Sequence, residues 1–484
     1  MSQRILGPFS RVEGDLEVKV DIDSDRVKEA WVTSPQYRGF EQILHGKEPR
    51  DALVYTPRIC GICSVSQSMA AAAALADAHG AQRPDNGILA LNLMLANENV
   101  ADHLTHFYVF FMPDFTREIY ESEKWHASTL NRFQAGHGTA SGDVLPARAE
   151  FLHLMGILAG KWPHSLSIQP GGSTRAVDWQ EKSSILSNLH GFRRFLERHL
   201  FGDKLENITS LNSAEALDEW RTREAPEHSD FRRFLHISES LELEKLGQAG
   251  NSFLSYGAYQ GVDGKHLLSQ GVWHDGAVGT LKTEAIMEDL SHSWMAHQNT
   301  PRHPFEGITH PKAEAENGYT WCKAPRLDGE VMEVGALARQ LIDGHPLIVD
   351  LVARSGGNVR NRVIARLLEI ARVIPSMEVW ANDLKPGEPF YMQHSMLEDA
   401  QGAGLVEAAR GSLGHWLHIK NGRIFNYQII APTTWNFSPR DRNDCPGALE
   451  QALVGAPVRK GEVDPVSVQH IVRSFDPCMV CTVH

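Results

Sequence analysis

The pattern of hydrophobic and polar residues predicts a β-hairpin near each end of the chain. Between residues 15 and 23 every second residue is apolar and its neighbours are mostly charged, which is the period of a strand with one buried face. Residues 28–34 predict its partner strand across a turn containing Asp and Ser. Residues 414–432 predict a second hairpin, because Asn421-Gly422 between two apolar segments is typical of a type I′ turn.

Helical periodicity dominates the region between these hairpins. Residues 66–79 are rich in alanine and are followed by Gly80, which predicts a helix that ends at a glycine. Residues 87–112 predict a long helix ending before Pro113, and its Asn, Glu, Asp and His residues indicate a buried bundle helix instead of a membrane span. Further helices are predicted at residues 147–158, 179–200, 334–342 and 361–373.

Two stretches lack clear periodicity. Residues 203–233 are charged and predict an irregular surface excursion, whereas residues 300–328 are rich in Pro, Gly and His and predict an extended, packed loop. Internal repeats, low-complexity linkers and sharp changes of composition are absent from the sequence. The predicted fold is therefore mainly α with small β elements (α+β), with residues 1–484 forming one large domain built on a bundle of long helices.

Composition narrows the class of protein. The chain has 484 residues, of which 42% are hydrophobic, so it is long enough to bury a large core. Its net charge of -13 argues against binding nucleic acid or an anionic membrane surface. Six cysteines are too few for a secreted disulfide framework, and the first residues resemble no signal peptide. We expect a cytoplasmic protein with no direct membrane insertion.

Two cysteine pairs carry the chemistry. Cys60 and Cys63 form one C-x-x-C pair, and Cys478 and Cys481 form another close to the terminal His484. Thiolates prefer soft metals, and four of them complete a coordination shell. Since chain ends normally fray, ligands at both ends imply that the N- and C-terminal segments meet at a buried metal site. A four-cysteine zinc site, a redox-active disulfide and simple buried thiols remain alternatives at this point.

Several longer motifs accompany these pairs. They are RVEG (11–14), RGFE (38–41), RICGIC (58–63), GKWPHS with PGG (160–172), YTWCKAPRLDG (319–329), RGSLGHW (410–416), YQIIAPTTWNFSPRD (427–441) and DPCMVCTVH (476–484). Together they resemble the large subunit of [NiFe] hydrogenases, and they span essentially the whole chain.

The resemblance implies a set of metal ligands. Cys60 and Cys478 correspond to terminal thiolates on nickel, and Cys63 and Cys481 to thiolates that bridge nickel to an iron carrying CO and cyanide, written Ni-Fe(CN)2(CO). Glu41 and the His484 side chain correspond to ligands of a Mg2+ ion, and the third ligand is a backbone carbonyl near Ile430.

The resemblance also implies catalytic roles. H2 is a very weak acid, so a Lewis acid and an adjacent base must split it into a hydride and a proton. Cys478 or Arg410 corresponds to that base, and Glu13 to the carboxylate that passes the proton outward. Asp102 and Asp476 correspond to the carboxylates that hold Arg410.

The electrons released from H2 must also leave the site. The two remaining cysteines, Cys322 and Cys445, cannot hold an iron–sulfur cluster that needs four ligands. The resemblance therefore implies Fe-S clusters on a partner small subunit only.

Several positions depart from the usual hydrogenase pattern. Gln67 and Asp15 stand where the family usually has histidine, and Ala409 stands where it usually has proline. Ile62 and Phe110 are bulkier than the aliphatic residues common in highly active members, so they are predicted to narrow a gas channel. Together these changes resemble the regulatory hydrogenases, which sense H2, tolerate O2 and report to a histidine kinase.

Three functions therefore remain open. The first is the large subunit of an H2 sensor, and the second is the large subunit of an energy-conserving uptake hydrogenase. The third is either a metal-free relative of the respiratory quinone-binding subunit or a structural zinc protein. The retention of all four cysteines argues against a metal-free relative.

Overall fold

The computed structural model describes residues 2–296 and 298–484. It is 45% helical with 19% strand in a single compact domain, which confirms the predicted mainly α class. Among the described residues the strands are β1 (Ser2–Leu6), β2 (Glu17–Asp23), β3 (Arg26–Thr33), β4 (Ile168–Gln169), β5 (Gly172–Ser173), β6 (Ser252–Gln260), β7 (His266–His274), β8 (Ala277–Gly279), β9 (Ile286–Asp289), β10 (Ala324–Leu327), β11 (Ala400–Ala408), β12 (Gly411–Lys420) and β13 (Arg423–Ile430).

The helices of the described chain are α1 (Phe40–Leu44), α2 (Ala52–Tyr55), α3 (Ser64–His79), α4 (Asp85–Thr105), α5 (His126–Phe133), α6 (Thr139–Phe151), α7 (His153–Ala159), α8 (Trp179–Phe195), α9 (Leu205–Thr209), α10 (Ala214–Thr222), α11 (Asp230–Ser240), α12 (Ala336–Ile342), α13 (Pro346–Ser355), α14 (Val359–Asp383), α15 (Pro432–Asn436), α16 (Ala448–Leu453), α17 (Val466–Ser474) and α18 (Met479–Thr482). Two π-helical segments, His106–Phe111 and Leu196–Phe201, continue α4 and α8. No helix of residues 2–296 and 298–484 is long and apolar enough to cross a membrane.

The strands form small antiparallel sheets. Strand β2 pairs with β1 and β3, and β12 pairs with β11 and β13. Both predicted hairpins are confirmed as β2–β3 and β12–β13. Asn421 and Gly422 have φ angles of 51° and 67°, as the predicted type I′ turn requires. Three strands that sequence reasoning missed, β6, β7 and β8, form another antiparallel sheet.

Helices α3, α4 and α14 lie at the centre of the molecule. Helix α4 is buried on almost every side, so its sequence shows no clear amphipathic stripe. The predicted helix 87–112 is confirmed as α4 with its π-helical continuation. The helix predicted at 361–373 is longer, since α14 continues through Pro375 to Asp383.

The prediction of an irregular surface segment at residues 203–233 is wrong. This segment contains α9 and α10 and the beginning of α11. The Ser213 and Ser229 side chains cap α10 and α11 by accepting hydrogen bonds from backbone N–H groups, which favours a helix start. Trp220 and Phe231 are buried with ring centroids 5.5 Å apart. The charged residues occupy the outer faces of these short helices, and their high density in the sequence obscured the helical spacing of the buried apolar residues.

Helix α3 packs directly against strand β11 because both surfaces carry small residues. A Cβ atom built on Gly404 would lie 1.9 Å from the Ala70 carbonyl oxygen, and one on Gly402 would lie 2.2 Å from the Ala74 oxygen. The alanine-rich face of α3 and the glycines of β11 therefore allow a close approach. This contact fixes α3, which begins directly after Cys63.

A buried charge cluster ties the N-terminal loop to the C-terminal helix α17. Asp114 accepts hydrogen bonds from Arg11, from Arg117 at 2.9 Å and from Arg473 at 2.9 Å. Arg473 also donates to the Ser10 carbonyl at 2.7 Å. Burial raises the pKa of the Asp114 carboxyl, but its basic neighbours outweigh burial and hold the pKa below its usual range.

The close packing of α3 on β11 leads to a stability prediction. We expect Gly404→Ala to lower the free energy of unfolding by about 2–3 kcal/mol, because the new methyl group overlaps backbone atoms. Gly279→Ala is the control, since its added Cβ would lie 3.9 Å from its nearest neighbour, the Val272 carbonyl oxygen, and should cost about 0.5 kcal/mol or less. Equal denaturation midpoints for the two variants would refute the close approach.

Candidate metal centre

The four paired cysteines converge on one buried site. The Sγ atoms of Cys63 and Cys481 are 3.2 Å apart, those of Cys478 and Cys481 are 2.9 Å apart, and those of Cys60 and Cys478 are 3.5 Å apart. All four sulfur atoms lie within 4.8 Å of one another, and all four residues are buried. Among the described residues this is the only group of three or more His, Cys, Asp or Glu side chains close enough to hold a metal ion together.

The first cysteine pair is held by the start of helix α3. The buried Glu98 carboxylate accepts hydrogen bonds from the backbone N–H groups of Val65 at 2.8 Å and Ser66 at 2.9 Å. These groups are otherwise unpaired in the first turn of a helix. Burial raises the pKa of Glu98 to about 7 even though these hydrogen bonds lower it. Sequence reasoning missed Glu98, because it lies in the middle of α4, far along the chain from the cysteines.

The second cysteine pair lies against the N-terminal segment. Met479 N donates to the Glu13 carbonyl at 2.7 Å, and Glu13 N donates to the Pro477 carbonyl at 3.4 Å. Gly14 has φ +81°, and a Cβ on it would lie 3.1 Å from the nitrogen of Val480. Glycine is therefore required at this close approach, which confirms that the two ends of the chain meet.

Arg410 lies beside this site at the tip of a tight hairpin. It occupies the two-residue turn between β11 and β12, whose flanking residues Ala408 and Gly411 are paired. Its guanidinium donates to Asp102 Oδ2 at 2.5 Å, Asp476 Oδ1 at 3.1 Å and the Asp476 carbonyl at 2.8 Å. Burial lowers the pKa of Arg410, but the two carboxylates outweigh it and hold the pKa well above its usual value. Arg410 therefore stays a cation.

The half-buried Glu13 carboxyl lies close enough to Cys60 and Arg410 to interact with their charges. Burial raises its pKa, the nearby Cys60 raises it further, and the Arg410 charge lowers it. Glu13 is thus electrostatically coupled to both the thiols and the guanidinium. Its backbone pairing with residues 477–479 fixes this position.

A second polar cluster surrounds the C-terminal His484. The Glu41 Oε1 atom lies 3.0 Å from His484 Nε2 and 3.0 Å from Lys323 Nζ. Lys323 Nζ also donates to Gln428 Oε1 at 2.9 Å and lies 3.4 Å from Glu288 Oε2. Sequence reasoning missed Lys323 and Glu288, although Lys323 belongs to one of the motifs that carry the resemblance.

The predicted backbone ligand lies beside this cluster. Ile429 N donates to Glu41 Oε1 at 2.8 Å, so strand β13 brings the neighbouring Ile430 to the edge of the same site. Ile430 is buried.

The remaining predicted residues occupy different environments. Gln67 is buried one turn into α3, and its Oε1 atom lies 2.8 Å from His415 Nε2. Ile62 is half-buried between the first two cysteines, and Phe110 is half-buried in the π-helical segment after α4. Asp15 is exposed and accepts a hydrogen bond from Gln36, so the structure does not bring it into the metal centre.

Comparison with known proteins decides the family. The family model for nickel-dependent hydrogenase matches residues 38–133 and 143–484. The chain belongs to the nickel-dependent hydrogenase family. It is therefore an oxidoreductase acting on H2, and the four-cysteine site is that of a hydrogenase nickel–iron centre.

Relatives match over nearly the whole chain. The periplasmic [NiFeSe] hydrogenase large subunit of Desulfomicrobium baculatum is 27% identical over 521 residues, covering 99% of this chain and 94% of that protein. The uptake hydrogenase large subunit of Azotobacter chroococcum mcd 1 is 28% identical, covering 99% and 95%. The solved Ni-Fe-Se hydrogenase from D. vulgaris Hildenborough is 28% identical with a TM-score of 0.85, covering 100% of both chains.

The convergence of the cysteines predicts which thiols hold nickel in this hydrogenase. We expect Cys60→Ser to lose most of its bound nickel, because an alcohol oxygen is a poor replacement for a soft thiolate ligand. Cys322→Ser is the control, since Cys322 is equally buried but lies outside the cluster. Elemental analysis of the purified proteins measures both. Full nickel content in Cys60→Ser, or zinc in the unaltered protein, would contradict the assignment.

Proposed function

We propose that residues 1–484 act as the active-site subunit of a regulatory hydrogenase, which binds and slowly cleaves H2 as a sensor. The main support for H2 cleavage is that Arg410 and Glu13 lie beside four converging thiols. The thiols suit soft metal ions. The Ni-Fe(CN)2(CO) centre, when bound, supplies the Lewis acid that polarises H2.

The protein residues then handle the proton. Cys478 is buried and contacts both Cys60 and Cys481, so its thiolate is in position to take the proton released from H2. Arg410 stays charged between Asp102 and Asp476 and would supply a fixed positive charge beside the thiols and the metal that they hold. Glu13, which pairs with the backbone beside Cys478, receives the proton and passes it outward.

The cluster around His484 fits a bound Mg2+ ion. Glu41 and Glu288 supply two negative charges against the single positive charge of Lys323, and burial raises the pKa of Glu288. The Glu288 Oε1 atom is buried without a hydrogen-bond partner among the described residues. Carboxylate and carbonyl oxygens are the donors that Mg2+ prefers. Following the resemblance to [NiFe] hydrogenases, we assign Glu41, His484 and the Ile430 carbonyl as its ligands.

Electrons leave through a partner protein. Each Fe-S cluster needs about four ligands, and outside the metal centre the described chain has only Cys322 and Cys445, which form no such group. A small subunit that carries Fe-S clusters therefore completes the enzyme, and a histidine kinase receives the signal.

The sensor role is supported by the uncharged side chain that follows the first cysteine pair by one helical turn. Gln67 replaces a titratable group one helical turn after Cys63, and burial lowers the pKa of its partner His415 to about 3. Ile62 and Phe110 add bulk on the proposed gas path. The alternative is an energy-conserving uptake hydrogenase, which the name of the Azotobacter relative favours.

We place the protein in the cytoplasm. The sequence has only six cysteines, four of them in the metal centre, so it lacks the disulfide framework that is typical of many secreted proteins.

The proton-transfer role predicts the effect of Glu13→Gln. We expect unchanged nickel and iron content but a fall of about 100-fold or more in H/D exchange, because the amide cannot accept the proton. Glu17→Gln, an exposed change on β2, is the control and should keep the wild-type rate. Wild-type exchange in Glu13→Gln would remove Glu13 from the mechanism.

The sensor proposal predicts slow, O2-tolerant turnover. H2-dependent dye reduction by the wild type should be slow and should keep its rate in air. Ile62→Val combined with Phe110→Leu should lose most of its rate in air, because a wider path admits O2. Val109→Ala changes an exposed neighbour of Phe110 and should behave as the wild type does.

Two outcomes of the same assay contradict parts of this proposal. Rapid wild-type turnover that is lost in air would favour the uptake enzyme over the sensor. Full air tolerance in the double variant would show that Ile62 and Phe110 do not control gas access.

A further inference from the structure

A buried guanidinium lies directly behind the Arg410 turn. Arg339, in helix α12, is completely buried. It donates to the Ala408 carbonyl at 2.8 Å and to the Ala409 carbonyl at 3.1 Å. These are the two carbonyl groups that immediately precede Arg410 in the chain.

All five N–H donors of Arg339 are used. Besides the two carbonyls, it makes two hydrogen bonds to Glu369, at 3.0 and 2.8 Å, and one to Glu407 at 2.8 Å. Five donors in a fixed planar fork are the full capacity of an arginine. The orientation of the guanidinium is therefore completely determined by its surroundings.

The two carboxylates are themselves fixed. Glu407 accepts hydrogen bonds from Ser412 Oγ at 2.5 Å and from Tyr256 N at 2.8 Å. Glu369 Oε1 lies 3.2 Å from His103 Nε2. His103 is the next residue after Asp102, whose carboxylate binds Arg410. The hydrogen bonds of Arg339 therefore reach the backbone beside Asp102 as well as the turn that carries Arg410.

The turn lacks the backbone geometry that usually stabilises a two-residue hairpin. Ala409 and Arg410 are the only two residues between β11 and β12, and neither has a positive φ angle. Two-residue hairpins usually adopt type I′ or II′ turns with positive φ, because these match the twist of the strands. Gly411, with φ +127°, packs so closely on the residues before α12 that a Cβ would lie 2.7 Å from Gly335 N.

We propose that Arg339 is a positioning residue that fixes the Arg410 turn over the metal centre through the carbonyls of Ala408 and Ala409. A lysine cannot replace it, since an ammonium group has three donors and no planar fork. This inference rests on the role proposed above for Arg410.

The test compares Arg339→Lys with a matched change elsewhere. Arg326 is also buried, pairs with Asp441 at 2.9 Å and donates to backbone carbonyls, but it lies away from the turn. Arg326→Lys should therefore lose comparable stability while keeping its H/D exchange rate per bound nickel. For Arg339→Lys we expect that rate to fall about 10–100-fold, as is typical when a residue supporting a metal site is removed.

A second measurement does not depend on metal or activity. Backbone amide exchange of residues 405–414 should become faster in Arg339→Lys but not in Arg326→Lys, whether or not the protein holds metal. Ala409 has no positive φ angle, which is one condition for proline, and a proline at this position would restrict the backbone of the turn. Adding Ala409→Pro to Arg339→Lys should recover slow amide exchange and much of the lost turnover.

The outcomes separate this inference from the proposed function. Wild-type amide exchange at residues 405–414 in Arg339→Lys overturns the positioning role, as does loss of protection there in Arg326→Lys. Unchanged turnover in Arg410→Lys would instead refute the role of Arg410, while the amide exchange would still report the contact made by Arg339.

Discussion

The functional geometry depends on the backbone pairing of Glu13 with residues 477–479. Those two hydrogen bonds place the N-terminal segment against the second cysteine pair, and Asp114 reinforces them by binding both Arg11 and Arg473. This pairing positions the Glu13 carboxyl beside Cys478, and it holds the second cysteine pair together with the hydrogen bond from Cys478 N to Thr433 Oγ1 at 3.0 Å. Chain termini normally fray, but here the C-terminal segment is ordered and supplies two of the four thiols of the metal centre.

Buried charges around the site form groups in which one cation contacts two carboxylates. Arg410 binds two aspartates, Arg339 binds two glutamates, and Lys323 lies between Glu41 and Glu288. Removing one member of such a buried pair typically costs about 3–5 kcal/mol, because the other charge is left unpaired. These residues and the four thiols are buried, and charges and dipoles that are fixed in a buried site interact more strongly than they would in water.

Residues that act through local spacing could be predicted from the sequence, and residues that act through distant contacts could not. The cysteine pairs and the type I′ turn at Asn421 depend on neighbours a few positions away. Lys323 and Arg339 look like ordinary charged residues until the fold brings their carboxylate partners to them. Asp15 shows the opposite error. It stands where the family usually has histidine and was therefore expected near the metal centre, but its side chain is exposed on the surface. The helices of residues 203–233 were missed because dense surface charge obscured two serine caps and a buried aromatic pair.

Anomalous diffraction from crystals of the metal-loaded protein tests the convergence of the two chain ends most directly. At the nickel absorption edge we predict a single strong peak within bonding distance of the sulfur atoms of Cys60, Cys63, Cys478 and Cys481, with an iron peak beside Cys63 and Cys481. A zinc peak among the four sulfurs, or nickel bound away from them, would contradict the nickel–iron centre and the hydrogen chemistry that depends on it.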